Sequence, residues 1–140
     1  MHKAIARCIV FASSLLATVA LCETPEQRAI KYLTVEVPKW AAENKCYSCH
    51  NNGDGARALY IAICMGHEVP RAALADTTKW LIDPSAWDKG RADASISDKK
   101  LARIQFAASL VLALDANFTG DDRPLIAAAE LLVPDQAQDG

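Results

Sequence analysis

Ala56-Arg57-Ala58-Leu59-Tyr60-Ile61-Ala62-Ile63-Cys64-Met65 is apolar at nine of its ten positions, and Gly66 follows at once. A stretch this long without strand punctuation reads as a helix, and a helix apolar all round is expected to be buried all round. That makes it the predicted centre of an all-α fold. Cys64 is then expected to pack as a small hydrophobe, and Met65 to end the helix in the core.

Outward from this helix the signals stay helical. Upstream, Thr24-Pro25-Glu26-Gln27 is a capping box with Pro25 at the first helical position. Ile30, Leu33, Val37, Trp40 and Ala41 follow at helical spacing, with a kink or restart expected at Pro38. Between the two helices, Asn51-Asn52-Gly53-Asp54-Gly55 has turn chemistry, with Gly53 and Gly55 free to take positive φ. Downstream, Pro70 opens a third helix reaching about Ile82, and Asp83-Pro84 stops it. Ser85 to Ser95 reads as a loop. Ser97 caps a fourth helix through about Asp115, with Leu101, Ile104, Ala108, Val111 and Leu112 on its apolar face. Asn117 to Asp122 is a turn, and Pro124 to Val133 a fifth helix closed by Pro134. No credible strand pair appears. The expected fold is all-α, about five helices in antiparallel αα-hairpins.

The chain has 140 residues, 51% hydrophobic and 23% charged. This is globular composition and excludes collagen, low-complexity disorder and a Cys-dense scaffold. With 15 Lys+Arg against 17 Asp+Glu the formal net charge is -2, which draws it neither to nucleic acid nor to an anionic membrane.

Residues 1 to 22 read as a secretion signal. Lys3 and Arg7 give the positive start, Cys8 to Leu21 carries no charge, and cleavage after Ala20 or Cys22 suits the small-residue rule. The run is shorter than the ~20 residues of a membrane span, so an uncleaved anchor is the secondary expectation. Removing it takes away two positive charges and no negative ones, leaving 13 against 17, a net of -4 on a domain spanning 23 to 140. The expected location is outside the cytoplasm, periplasmic or secreted.

With Cys8 and Cys22 assigned to the signal of residues 1 to 22, three cysteines remain: Cys46, Cys49 and Cys64. An odd number argues against a disulfide framework. Two of them sit in Cys46-Tyr47-Ser48-Cys49-His50, the attachment pattern for covalent haem c. Two thiols on one turn reach the two vinyl groups of one porphyrin, and the adjacent imidazole of His50 falls where it binds iron axially. Three other readings stay open. A redox pair of thioredoxin type needs βαβ surroundings, whereas these flanks are helical or turn-like. A zinc site needs a fourth ligand, which Cys64 or His67 could supply. An inert or disulfide pair needs neither. For the distal iron position the candidates are Met65 and His67, since no other Met or His follows His50. Lys39 and Lys45 flank the motif and could orient an acidic redox partner, though solvated helix-end lysines explain them as well.

The segment Cys46-x-x-Cys49-His50-x-x-Gly53-x-Gly55 resembles the haem-binding segment of small class I cytochromes c. The resemblance covers about ten residues and implies a single-electron carrier, or a ligand sensor if the sixth position is open. Those proteins place a ligand Met far downstream, and here no Met follows Met65.

A weaker pattern runs along the whole chain. Ala29-Ile30-Lys31-Tyr32-Leu33, Thr77-Thr78-Lys79-Trp80-Leu81 and Ala128-Ala129-Glu130-Leu131-Leu132 recur at offsets of 48 and 51 residues, an αα-hairpin array of about 50-residue period. Leu131-Leu132-x-x-x-Gln136-x-x-x-Gly140 resembles the repeat motif of the terpenoid cyclase and prenyltransferase αα-toroid family. That resemblance implies the opening two and a half hairpins of a toroid-type protein, truncated or degenerate. The acidic catalytic motif of the cyclases has no counterpart here, since the spacing of Asp115, Asp121 and Asp122 does not match it. The alternative expectation is therefore a non-catalytic helical-repeat protein whose Cys pair is structural or binds zinc.

Overall fold

The computed structural model describes residues 23–44, 47, 50–89 and 98–138. The segment read as a secretion signal lies outside these residues, as do Cys46, Cys49 and Ser97. Among the described residues the chain is all-helical, with six α-helices: α1 Pro25–Asn44, α2 His50–Cys64, α3 Ala75–Leu81, α4 Pro84–Lys89, α5 Lys99–Asp115 and α6 Arg123–Leu132. Short 3₁₀ turns at Arg71–Leu74 and Val133–Asp135 complete it. No described helix is long and apolar enough to cross a membrane.

The first helix starts as its capping box requires. The Thr24 hydroxyl accepts from the Gln27 N–H at 3.2 Å, and Gln27 Oε1 accepts from the Thr24 N–H at 2.8 Å. Pro38 does not break it. Val37 and Ala41, on either side of the proline, are both buried, and holding that face in the core outweighs the one ladder bond lost.

Two glycine-rich segments behave oppositely. Gly66 takes φ 85° and ends α2 as expected, with His67 N–H bonding back to the Ala62 carbonyl and Gly66 N–H to Ile63. The expected turn at Asn51–Gly55 is instead the opening of α2. Gly55 is needed there for clearance rather than for a turn: a Cβ would lie 2.9 Å from Val37 Cγ2 and 3.4 Å from Leu33. Its missing side chain lets α1 and α2 pack closely as an antiparallel hairpin.

Other boundaries also moved. Asp83-Pro84 stops one helix and starts the next: the Asp83 carboxylate accepts from the Ala86 N–H at 3.0 Å, and Pro84 takes the first position of α4. The expected loop from Ser85 is therefore helical as far as Lys89. The expected helix from Pro70 divides into a 3₁₀ turn and α3. Asp98 caps α5, accepting from Lys100 and Leu101 N–H. Beyond Pro134 the Val133–Asp135 turn carries Asp135 to Arg103, whose Nη1 donates to it at 2.7 Å.

The core joins the helices through Val37, Leu59, Tyr60, Leu74, Leu81, Leu110, Ala113 and Ala128. Helices α2 and α5 lie side by side and run in the same direction. Arg57 Nη1 donates to Ser109 Oγ at 3.0 Å, Tyr60 meets Phe118 edge-on at 5.4 Å, and the last turn of α2 also reaches Phe118. Both end alike: Asn117 takes φ 59° just past α5, and Phe118 N–H returns to the Ala113 carbonyl. That stop falls 51 residues after Gly66.

The face of α5 expected to be buried is the outer one. Leu101, Ile104, Ala108 and Val111 are exposed, whereas Ala107, Ser109, Leu110 and Ala113 are buried. The last half of α2 is likewise not buried all round, since Ile61, Cys64 and Met65 face out.

Candidate haem-attachment site

The Cys46–His50 motif occupies the connection between α1 and α2. At one side α1 closes at Asn44, whose Nδ2 donates to the Trp40 carbonyl at 3.2 Å. At the other, His50 is the first residue of α2. Cys46 and Cys49 lie outside the described residues. Between them Tyr47 is half-buried, its ring stacked on Trp80 at 6.0 Å and 23°. Trp80 in turn meets Phe106 edge-on at 4.9 Å, and Trp87 lies 5.0 Å from Phe106. The Trp87 indole N–H donates to the Leu81 carbonyl at 3.1 Å, which orients the cluster. The middle of the motif is thus held by an aromatic cluster from α3, α4 and α5. The contact of Tyr47 with Trp80 and its neighbours is not legible in the sequence, because nothing in the spacing shows that α3 returns to the α1–α2 connection.

The opening of α2 is fixed by polar contacts as well. Asn52 is 1% exposed; its Nδ2 donates to the Val37 carbonyl at 2.7 Å, and its Oδ1 accepts from Thr77 Oγ1 at 3.3 Å. One amide therefore ties α2 to α1 and α3, two residues after His50. Behind it, Thr78 spends its proton on the Leu74 carbonyl at 2.8 Å, so the Tyr60 hydroxyl donates to Thr78 Oγ1 at 2.7 Å. Burial raises the Tyr60 pKa above its ordinary value, against the smaller opposing effect of Thr78.

Met65 and His67 lie elsewhere. They follow the far end of α2, and fifteen residues of helical rise separate His50 from Met65 by about 22 Å. No imidazole and thioether on one continuous helix can reach a shared iron across that span, and the turn after Gly66 carries His67 no closer to His50. Met65 is 72% exposed, so it is neither core nor a partner of His50. Half-buried His67 lines an open groove of about 540 Å³ with Ile63, Glu68, Val69, Pro70, Arg71 and Phe118. Arg71 caps that groove, 3.8 Å over the Phe118 ring and donating to the Asn117 carbonyl at 3.0 Å. His67 also lies near Glu26, whose carboxyl sits below its ordinary pKa, held there first by its own backbone N–H and then by Thr24, with His67 adding a smaller attraction. The same helical span removes Cys64 and His67 as fourth ligands of a zinc site with Cys46, Cys49 and His50.

The residues at the motif fit a haem by the chemistry of the donor set, two thiols and an adjacent imidazole. One further observation agrees. Trp40 Nε1, six residues before Cys46, is shut off from solvent with no acceptor among the described residues. A buried indole N–H without a partner is costly, and a haem carboxylate is an acceptor of the right kind. Comparison with protein-family models, with curated proteins and with solved structures finds no match.

Proposed function

We propose that this chain is an exported mono-haem c protein, with Cys46 and Cys49 as the thioether residues and His50 as the proximal ligand. The observation that carries it is Cys46-x-x-Cys49-His50 occupying the connection of a tightly packed helical hairpin, with Tyr47 stacked on Trp80. The haem would supply one-electron redox chemistry and a coordination site for small ligands. The chain's own residues attach it, hold the proximal side at the start of α2 and pack the motif against aromatic rings.

The distance along α2 sharpens the distal side. The domain from 23 to 140 has no Met or His other than His50, Met65 and His67. With the last two at the other end of α2, the iron keeps an open sixth position. Small-ligand binding then joins electron transfer as the expected activity, and the protein is a carrier or sensor rather than a catalyst. Lys39 pairs with Glu36 at 3.4 Å, which weakens its part in steering a redox partner.

Expression in a host with haem c maturation tests this. The purified protein should show a c-type α-band when reduced, keep its haem on denaturation, and shift its spectrum under carbon monoxide. Absence of covalent haem would sink the proposal. A normal haem that ignores carbon monoxide would sink the open sixth position alone.

The repeat scaffold is a compatible second reading, supported by a specific observation. Helices α2 and α5 run in the same direction and end in the same turn 51 residues apart, the offset between the second and third sequence repeats. We read this as an αα-hairpin array resembling the terpenoid cyclase and prenyltransferase toroids, with the haem at its first connection. A reading frame that continues past Gly140 into further Gln-Gly repeats bearing Trp would support it, and a stop there would weigh against it.

A further inference from the structure

Among the described residues, the outward sides of α2 and α5 carry an uncovered apolar strip. On α5, Leu101, Ile104, Ala108 and Val111 recur every three or four residues and are exposed; on α2, Ala58, Ile61 and Met65 do the same. The buried faces of both helices turn the other way, into the core shared with α1, α3 and α6. Scattered apolar side chains on a surface need no explanation, but a contiguous strip across two adjacent helices does.

The two ends of the strip differ in what lies beside them. Position 50 is seven residues before Arg57, two turns back on the same face of α2. Arg57 marks the side that meets α5, donating to the Gln105 carbonyl at 3.5 Å and to Ser109 at 3.0 Å. Because the helices run in the same direction, two turns back along α5 is the Asp98–Ala102 turn. Leu101 stands there, 50% exposed, with Ile104 one turn further on, 55% exposed. The N-terminal end of the strip is thus level with the residue that closes the Cys46–His50 motif.

We infer that Leu101 and Ile104 are the apolar floor on which the haem rests. The inference deepens the haem c proposal and rests on it. A porphyrin is a flat apolar plate, and a tether at the α1–α2 connection places it beside this end of the strip rather than beside Met65. Covering two branched side chains removes their apolar surface from water, which favours the haem resting there. It also lowers the polarity around the iron, which disfavours the extra charge of the ferric state and raises the potential. Ile61 and Val111, further along the same strip, lie outside the covered part and serve as internal controls.

The test compares Leu101→Ser/Ile104→Ser with Ile61→Ser/Val111→Ser, both matured with haem. All four positions are exposed, so neither pair should unfold the protein. Covalent haem content is read from the denatured protein, and the midpoint potential and the rate of oxidation by a small hydrophilic oxidant from the native one. The first pair should keep its haem, lower the potential and speed oxidation several-fold, while the second pair leaves both unchanged. Equal behaviour of the two pairs, or no change in either, would overturn the floor while leaving the attached haem intact. A wild-type protein without covalent haem would instead remove the underlying proposal.

Discussion

The two halves of α2 contradict their own composition. Its opening, Asn51-Asn52-Gly53-Asp54-Gly55, looks like a turn, yet Asn52, Gly53 and Gly55 are buried. Its end, Ile61-Ala62-Ile63-Cys64-Met65, looks like a core, yet three of those five side chains face solvent. What separates the halves is partners. The opening is clasped by α1 and α3, so small and hydrogen-bonding residues are what fit. At the end only Ala62 and part of Ile63 turn inward, and Ile61, Cys64 and Met65 lie on the side without a packed neighbour among the described residues. Burial here follows the neighbours a residue meets, which hydropathy along a single helix does not record.

Substitutions can break this contrast, beginning with the largest effect. Gly55→Leu should destabilise the fold by about 3 kcal/mol, because even a Cβ meets Val37 and a full side chain must push α1 off α2. Denaturant unfolding of the variant checks it, and a near-neutral result would mean the two helices are less closely packed than described. Asn52→Ala should cost about 2 kcal/mol by leaving the Val37 carbonyl and the Thr77 hydroxyl short of a partner.

A pH effect comes next, away from α2. Arg103 holds Asp88 through two hydrogen bonds, at 2.7 and 3.1 Å, and also binds Asp135. Hydrogen bonding from Arg103, and secondarily from Lys99, keeps the Asp88 carboxyl below its ordinary pKa. A carboxylate with a depressed folded pKa stabilises fully above its unfolded value, and that contribution is lost as pH falls through the folded one. Stability should therefore decline below about pH 4. Asp88→Asn should be less stable at neutral pH and show a shallower decline in acid, both read from melting temperature against pH.

The smallest effects belong to the exposed end. Cys64→Ser and Ile61→Ser should each change stability by less than about 0.5 kcal/mol. The free Cys64 thiol should react with an alkylating reagent in the native state, as its exposure implies. A slow reaction would place that end of α2 under a cover.

Much of the fold is legible in the sequence. The capping box at Thr24, the stop at Gly66, the end of α5 near Asp115 and the turn after Asn117 all rest on short-range chemistry. The errors have a common cause in tertiary contact. Pro38 reads as a kink or restart because helical spacing marks Val37 and Ala41 as apolar but does not show how deeply the fold buries them. Leu101, Ile104, Ala108 and Val111 form as regular a stripe as the buried Leu110 and Ala113, so periodicity alone chose the wrong side of α5. Cys46, Cys49 and His50 are visible because the motif is contiguous. The stacking of Tyr47 on Trp80 is not, since it joins residues thirty-three apart. The distal pair failed for a geometric reason: one helix separates Met65 and His67 from His50.

The central claim is covalent attachment at Cys46 and Cys49. Intact-mass measurement of the protein from a haem c-maturing host, beside Cys46→Ser and Cys49→Ser, tests it directly. The wild-type protein should gain the mass of one haem, with Cys46 and Cys49 protected from alkylation under denaturing conditions and Cys64 (with Cys22 where cleavage falls after Ala20) left to react. The double variant should carry no haem. A wild-type mass without haem, with Cys46 and Cys49 both free to alkylate, would contradict it.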